Sequence, residues 1–195
     1  NHFKSKGDSG LVALADSAQA VLSGGGTGFT QADIDALRAD PNFDQGDGQG
    51  FWNAVRADAA GELIAWLETG YNGTGTENVL ILGDFNAYAK EDPVQTISET
   101  AGYVDLIDNF IGQEDAFSFI FDGQQGTLDQ ALASGDIASL VTGVTEWHIN
   151  AQEPDLLSYN SRFNNPGFFS EDVFVSSDHD PLILGLDTQP DLFVG

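Results

Sequence analysis

The chain has 195 residues, with 6 Lys+Arg against 31 Asp+Glu, a formal net charge of -25 and an isoelectric point of about 4.1. Its 41% hydrophobic content is enough for the packed core of one domain and excludes wholesale disorder. No apolar run approaches the ~20 residues of a membrane helix, no signal-peptide pattern opens the chain, and zero Cys excludes disulfides, thiolate nucleophiles and Cys-type metal sites.

Residues 1–10 are polar and turn-rich and hold two of the three lysines beside His2. Apolar spacing predicts a helix over 11–22, and the glycine-rich run 24–29 predicts a break. Thr30 with Asp33 forms a capping-box start for a short helix over 31–39. Residues 42–50 read as a loop, in which Asp44-Gln45-Gly46-Asp47-Gly48 lacks the full spacing of a Ca²⁺ loop and is expected to be a plain turn. Phe51, Val55, Ala59, Leu63, Trp66 and Leu67 recur at helical spacing and predict an amphipathic helix over 51–69. Asn72-Gly73-Thr74 is a glycosylation sequon.

The apolar run 78–83 predicts a strand buried on both faces. A helix over 93–101 after Pro93 and a short apolar element over 103–111 follow. Strands are expected near 116–121 and 127–133, parted by a turn at 122–126, then over 141–149 and 181–187, with an irregular loop over 150–170. Helices alternating with buried strands, with neither repeat nor internal linker, predict one layered α/β unit.

Four constellations carry chemistry. Asp84 and Asn86 follow the buried strand and, two residues apart, project to one side. Together they can ligate a hard cation and orient a phosphate oxygen; an Asx-turn or helix cap would use the same residues. Asp178-His179-Asp180 sets an imidazole between carboxylates, as a general base near neutral pH needs, although a solvated acidic turn reads the same. Asp129 sits inside a strand-like run, where a charge needs a partner unless the strand is an edge facing water; a histidine from a neighbouring strand end is the natural one. Asn1, His2, Lys4 and Lys6 could cradle a phosphate or form a frayed terminus.

The segments NHFKSKG, LILGDFNAYAKEDP, LDQALAS, TEWHINAQEPDLLSYN and SSDHDP, in this order, resemble the endonuclease/exonuclease/phosphatase superfamily. Within it they are similar to the large secreted bacterial extracellular nucleases, a branch related to pancreatic-type deoxyribonuclease. The likeness covers residues 1–187 and leaves 188–195 as a tail. It implies a four-layer αββα sandwich, an α+β arrangement of which this chain supplies roughly the C-terminal half.

The resemblance also implies a division of labour. Asp84 and Asp178 would be metal ligands, for Mg²⁺ or Mn²⁺ with Ca²⁺ as a further candidate. Asp84 would also position the attacking water, and Asn86 the scissile phosphate. His179, oriented by Asp129, would be the general base or a transition-state stabiliser, and His2 the second catalytic histidine. The substrate would be nucleic acid, and a phosphatase or small-substrate phosphodiesterase with the same site, or a noncatalytic surface-assembly protein, are the competing readings. The family's first half, with its Asn, metal-binding Glu and acidic partner for His2, has no counterpart here, so a further segment or a partner chain would complete the site. With no methionine, the chain reads as processed or excerpted.

Several positions depart from the family pattern. Relatives often carry cysteines near the opening loop, acids where Gln152 and Ser158 stand, and Arg where this chain has Val175. His148 is expected to be structural. The acidic surface repels polyanions, and because salt shortens the Debye length from ~8 Å toward ~3 Å, it suits saline extracellular surroundings without membrane insertion.

Overall fold

The computed structural model describes residues 2–69, 78–158 and 165–188. Asn1, the sequon at Asn72-Gly73-Thr74 and residues 189–195 of the expected tail lie outside the described residues. Two helices open the chain, α1 (Leu11–Ser23) and α2 (Gln31–Arg38). The capping box forms at α2: Thr30 Oγ1 accepts from Asp33 N at 3.2 Å, and Asp33 Oδ2 accepts from Thr30 N at 2.8 Å. Ile34 is the buried anchor of α2, and Arg38 reaches back to Asp16 of α1 at 3.0 Å.

Helix α3 (Asn53–Glu68) begins after Trp52, whose φ of +62° turns the chain into it. Its first turn is capped from outside, because Asn42 Oδ1 accepts from Val55 N at 3.1 Å. The buried face differs from the expected stripe: Arg56 and Ala60 are fully buried, while Val55 (39% exposed) and Trp66 (46%) face solvent. Hydrophobic spacing cannot anticipate this, since a charged side chain holds the central position of the face. Both terminal nitrogens of the Arg56 guanidinium are bonded there, Nη1 donating to the Phe51 carbonyl at 2.6 Å and Nη2 to the Gln49 carbonyl at 2.8 Å.

The main sheet has β5 (Asp129–Ala133) at its centre, antiparallel to β1 (Leu80–Asp84) on one side and to β2 (Val104–Asp105) on the other. The β1 register runs from Leu80 opposite Ala133 to Asp84 opposite Asp129. Short helices fill the connections: α4 (Asp92–Gln95), continuing as a π turn over Thr96–Thr100, then α5 (Leu106–Phe110) and α6 (Gly135–Ala138). Strands β3 (Phe119–Phe121) and β4 (Gln124–Gly126) form a hairpin, and β6 (Val141–Glu146) pairs with β7 (Leu182–Leu186). The expected turn at 122–126 shrinks to two residues. Asp122 (φ +51°) and Gly123 (φ +77°) both take the left-handed conformation that a tight hairpin requires, which frees Gln124–Gly126 to pair.

The chain is therefore a mixed α/β protein of small antiparallel sheets and helices, an α+β arrangement. Two apolar clusters flank the main sheet. On one side Ile81, Phe85, Val94, Ile97 and Leu132 pack beneath α3 and α4 with Phe3. On the other, Ala131, Ala133, Leu106, Ile107 and Val141 pack with Leu80, Leu182 and Leu184. This second side is incomplete. Leu82 is 41% exposed, so β1 is covered on one face rather than both as its apolar run implied. A groove of about 480 Å³ runs between Leu80 and Leu82 of β1 and Leu182, Leu184 and Leu186 of β7, and extends to Asp129 and Asp180. Among the described residues, no helix is long and apolar enough to cross a membrane.

Candidate active site

Register places the site. Asp84 closes β1, Asp129 opens β5, and the two stand directly opposite each other in the ladder. Side chains at such a pair lie about 5 Å apart on one face. By strand alternation this is the face that carries Leu80 and Leu82, so both carboxylates stand at the end of the leucine groove.

The opening segment reaches the same point. Phe3 N donates to the Asp84 carbonyl at 2.9 Å, laying residues 2–3 parallel to the end of β1. His2 Nε2 then lies 3.2 Å from Asp84 Oδ2. Asn86 has φ +48°, a conformation that asparagine tolerates better than most residues. Its backbone N donates to Asp84 Oδ1 at 2.7 Å, and its Nδ2 donates to Asp84 Oδ2 at 2.9 Å and to the Phe3 carbonyl at 3.2 Å. The same amide nitrogen is 3.5 Å from His2 Nε2. Asp84 and Asn86 thus close the strand as an Asx-turn and also gather His2.

Across the ladder, Asp129 Oδ2 meets His179 Nδ1 at 2.6 Å and accepts from Ser118 Oγ at 2.6 Å. The His179 ring tilts against Phe119, with centroids 4.7 Å apart. The hydrogen bond to Asp129 holds the His179 pKa above its ordinary value against an opposing effect of burial, with the charges of Asp129, Asp84 and Asp178 adding. Asp84 is raised as well. Burial is its main cause and the Asp129 charge adds to it, while the Asn86 backbone N–H, His179 and His2 pull the other way.

The remaining residues singled out from the sequence divide. Asp178 is exposed beside His179 and influences it through charge. Asp180 does not flank the imidazole as its position in the sequence implied. It is buried and turned inward, its Oδ1 accepting from the backbone N of Ile149 (3.1 Å), Asn150 (2.8 Å) and Ala151 (3.0 Å). Its Oδ2 meets His148 Nδ1 at 2.9 Å, and His148 stacks on Phe117 at 3.9 Å. Asp180 therefore ties the start of the last strand to the 148–151 loop, and its charge is matched by donors rather than offered to a ligand. Val175, also buried, has φ +53° and donates its N–H to the Ile149 carbonyl at 3.1 Å, so it packs inward.

The opening lysines do not form a phosphate cradle. Lys6 is ion-paired with buried Glu91 and reaches the Gln49 carbonyl at 3.3 Å, while Lys4 donates to Ser9 Oγ at 3.1 Å with its Nζ 5.0 Å from the Trp52 ring centre. Glu91 also lies 3.9 Å from Arg56, and burial pushes its pKa up. This buried cluster pins the opening segment to α3 and α4 and so helps set where His2 lies. Sequence reasoning missed the cluster, although Lys6 and Glu91 lie in two of the quoted segments. It also missed Ser118, which carries no signal beyond its place beside a strand.

As metal ligands the residues are oxygen donors, and Mg²⁺ typically takes only one or two carboxylates and keeps several waters. Asp84, half-buried and with its carboxylate under-compensated, suits such an ion in kind. Among the described residues, no three His, Asp or Glu side chains gather into a closed cage. The Asp44–Gly48 loop spends its carboxylates on turns, with Asp44 Oδ1 accepting from Gly46 N at 2.8 Å and Asp47 Oδ1 from Gln49 N at 3.0 Å. The chain matches no protein-family model, no curated protein and no solved structure.

Proposed function

We propose that this chain carries part of the active site of a secreted, divalent-metal-dependent phosphodiesterase that hydrolyses nucleic acid. The observation that carries the reading is the placement of two carboxylate–imidazole pairs side by side, His2–Asp84 with Asn86 and Asp129–His179, joined by the ladder position that sets Asp84 opposite Asp129. Phosphodiester hydrolysis needs a water in line, neutralised non-bridging oxygens and a stabilised leaving alkoxide. With Nδ1 engaged by Asp129, His179 keeps Nε2 for proton exchange with water or phosphate. His2 and Asn86 supply polar contacts for phosphate on the other side of the carboxylates. Bound at Asp84 and Asp178, Mg²⁺ or Mn²⁺ would supply the positive charge that the phosphate oxygens and the departing alkoxide require.

The leucine groove supports a structural part of the same reading. A second strand layer, from an N-terminal half of the domain or from a partner chain, would close it into a four-layer αββα sandwich. On this reading the 195 residues alone are inactive, and robust Mg²⁺-dependent nuclease activity from them would refute it. The high acidity fits work outside the cell in saline surroundings, where salt screens the repulsion of a polyanion.

One observation favours a smaller substrate. Of the described cations, Lys6, Arg38 and Arg56 are engaged with carboxylates of the chain itself, leaving little positive surface for a long polyanion. Hydrolysis of plasmid and of a small phosphodiester by the completed protein, with and without chelator across a salt series, distinguishes the two substrates. Asp84→Ala and His179→Ala are each expected to abolish turnover. Retained activity in either variant would defeat the proposal.

A further inference from the structure

We propose that Ser118 is a positioning residue that holds the Asp129–His179 pair in a single geometry from two directions. Ser118 is fully buried, and its Oγ donates to Asp129 Oδ2 at 2.6 Å, the same oxygen that His179 Nδ1 meets at 2.6 Å. A carboxylate is free to swing about its last torsion, because that torsion has no sharp staggered wells. A second donor on one oxygen fixes its plane, and with it the direction in which the imidazole is held.

The direction of the Ser118 proton follows from its surroundings. The hydroxyl has one proton and two lone pairs. The backbone N–H of Asp129 donates to Ser118 Oγ at 3.3 Å, with Thr127 Oγ1 at 3.2 Å, so the acceptor side is taken and the proton goes to the carboxylate. The main chain of Ser118 supplies the second direction. Its carbonyl accepts from Asp180 N at 2.8 Å, which ties down the backbone immediately after His179.

His179 is thus held by its side chain through Asp129 and by its backbone through Asp180, with both routes meeting at one residue. Ser118 is itself anchored. Its N–H donates to the Gly126 carbonyl at 3.2 Å, and the preceding Phe117 N donates to buried Glu146 Oε2 at 2.7 Å. The consequence for rate rests on the reading of His179 as the proton-exchanging group; the geometry does not.

The test is proton NMR of the ¹⁵N-labelled full protein, following the imidazole Nδ1–H resonance of His179. In the native protein it is expected far downfield, as for a short carboxylate–imidazole bond. Ser118→Ala, which removes a single oxygen, is expected to move it upfield or broaden it by exchange, while Ser118→Thr, which keeps the hydroxyl, retains it. In an Asp129→Asn background, Ser118→Ala is expected to add no further change. Circular dichroism verifies that each variant is folded.

An unmoved resonance in folded Ser118→Ala overturns the proposal, and so does an equal effect in the Asp129→Asn background. In the completed protein, kcat should fall about ten- to a hundredfold in Ser118→Ala with KM little changed, the scale of a small misplacement of a reacting group. If the resonance behaves as expected but the native protein hydrolyses no phosphodiester, the functional reading fails and the positioning role stands.

Discussion

Asp129→Asn tests the core of the site, because the substitution keeps shape and removes charge. Asp129 and His179 are 19% and 21% exposed, so solvent screens their contact only in part. The substitution removes the charge-assisted hydrogen bond to His179, worth about 1.5–3 kcal/mol while His179 is protonated. For a chain of this size, about 2–4 °C per kcal/mol translates this into a fall in Tm of roughly 3–12 °C.

The pH dependence has a definite sign. The folded pKa of His179 lies above the ordinary imidazole value of 6.5, so its stabilisation is fully present below that value and is lost as pH rises through the folded pKa. Without the Asp129 charge, burial becomes the largest single influence on the imidazole, opposed by the charges of Asp84 and Asp178. Urea unfolding at acidic and alkaline pH is the assay, with the variant markedly weaker than native at about pH 5.5 and the difference shrinking by about pH 9. Equal destabilisation at both pH values would refute the charge argument and leave Asp129 a packing residue.

Two further outcomes follow from the same geometry. The raised pKa of Asp84 means that its ionised form costs stability as pH climbs above the ordinary value of 3.8. Asp84→Asn should therefore raise the urea midpoint at neutral pH in chelator, whereas Mg²⁺ should stabilise the native protein and not the variant; an equal Mg²⁺ response would remove Asp84 from the metal site. Glu91→Gln leaves Arg56 and Lys6 without their carboxylate inside the fold. A buried pair broken on one side costs about 3–5 kcal/mol, so a urea-measured loss under about 1 kcal/mol would show that the cluster does not hold the opening segment.

What could be read locally was decided locally. The Thr30–Asp33 capping box, the helix over 53–68 and the final strand after Pro181 appear within a few residues of where periodicity and end signals set them, because caps, turns and 3.6-residue spacing act over one or two turns of chain. The Asp122-Gly123 turn is equally local, but Gln124–Gly126 carry no apolar pattern that marks them as a strand. Composition fixed the absence of thiol chemistry and the strong negative charge without reference to any fold.

Partner choice is another matter, because it depends on which atoms the fold brings within about 3 Å of each other. Asp178 and Asp180 flank His179 in the chain, yet the carboxylate that meets its ring is Asp129, fifty residues away, a pairing that the resemblance implied and local sequence did not, and Asp180 serves the 148–151 backbone. Lys6 looked like a ligand for phosphate and is anchored by Glu91. The run around Leu82 looked buried on both faces, but burial is a property of what packs against a strand, and one face of β1 opens on a groove. Sequence by itself determined the elements and the inventory of acids and imidazoles; tertiary structure alone decided their pairing, since hydrogen bonds and desolvation act through space and not along the chain.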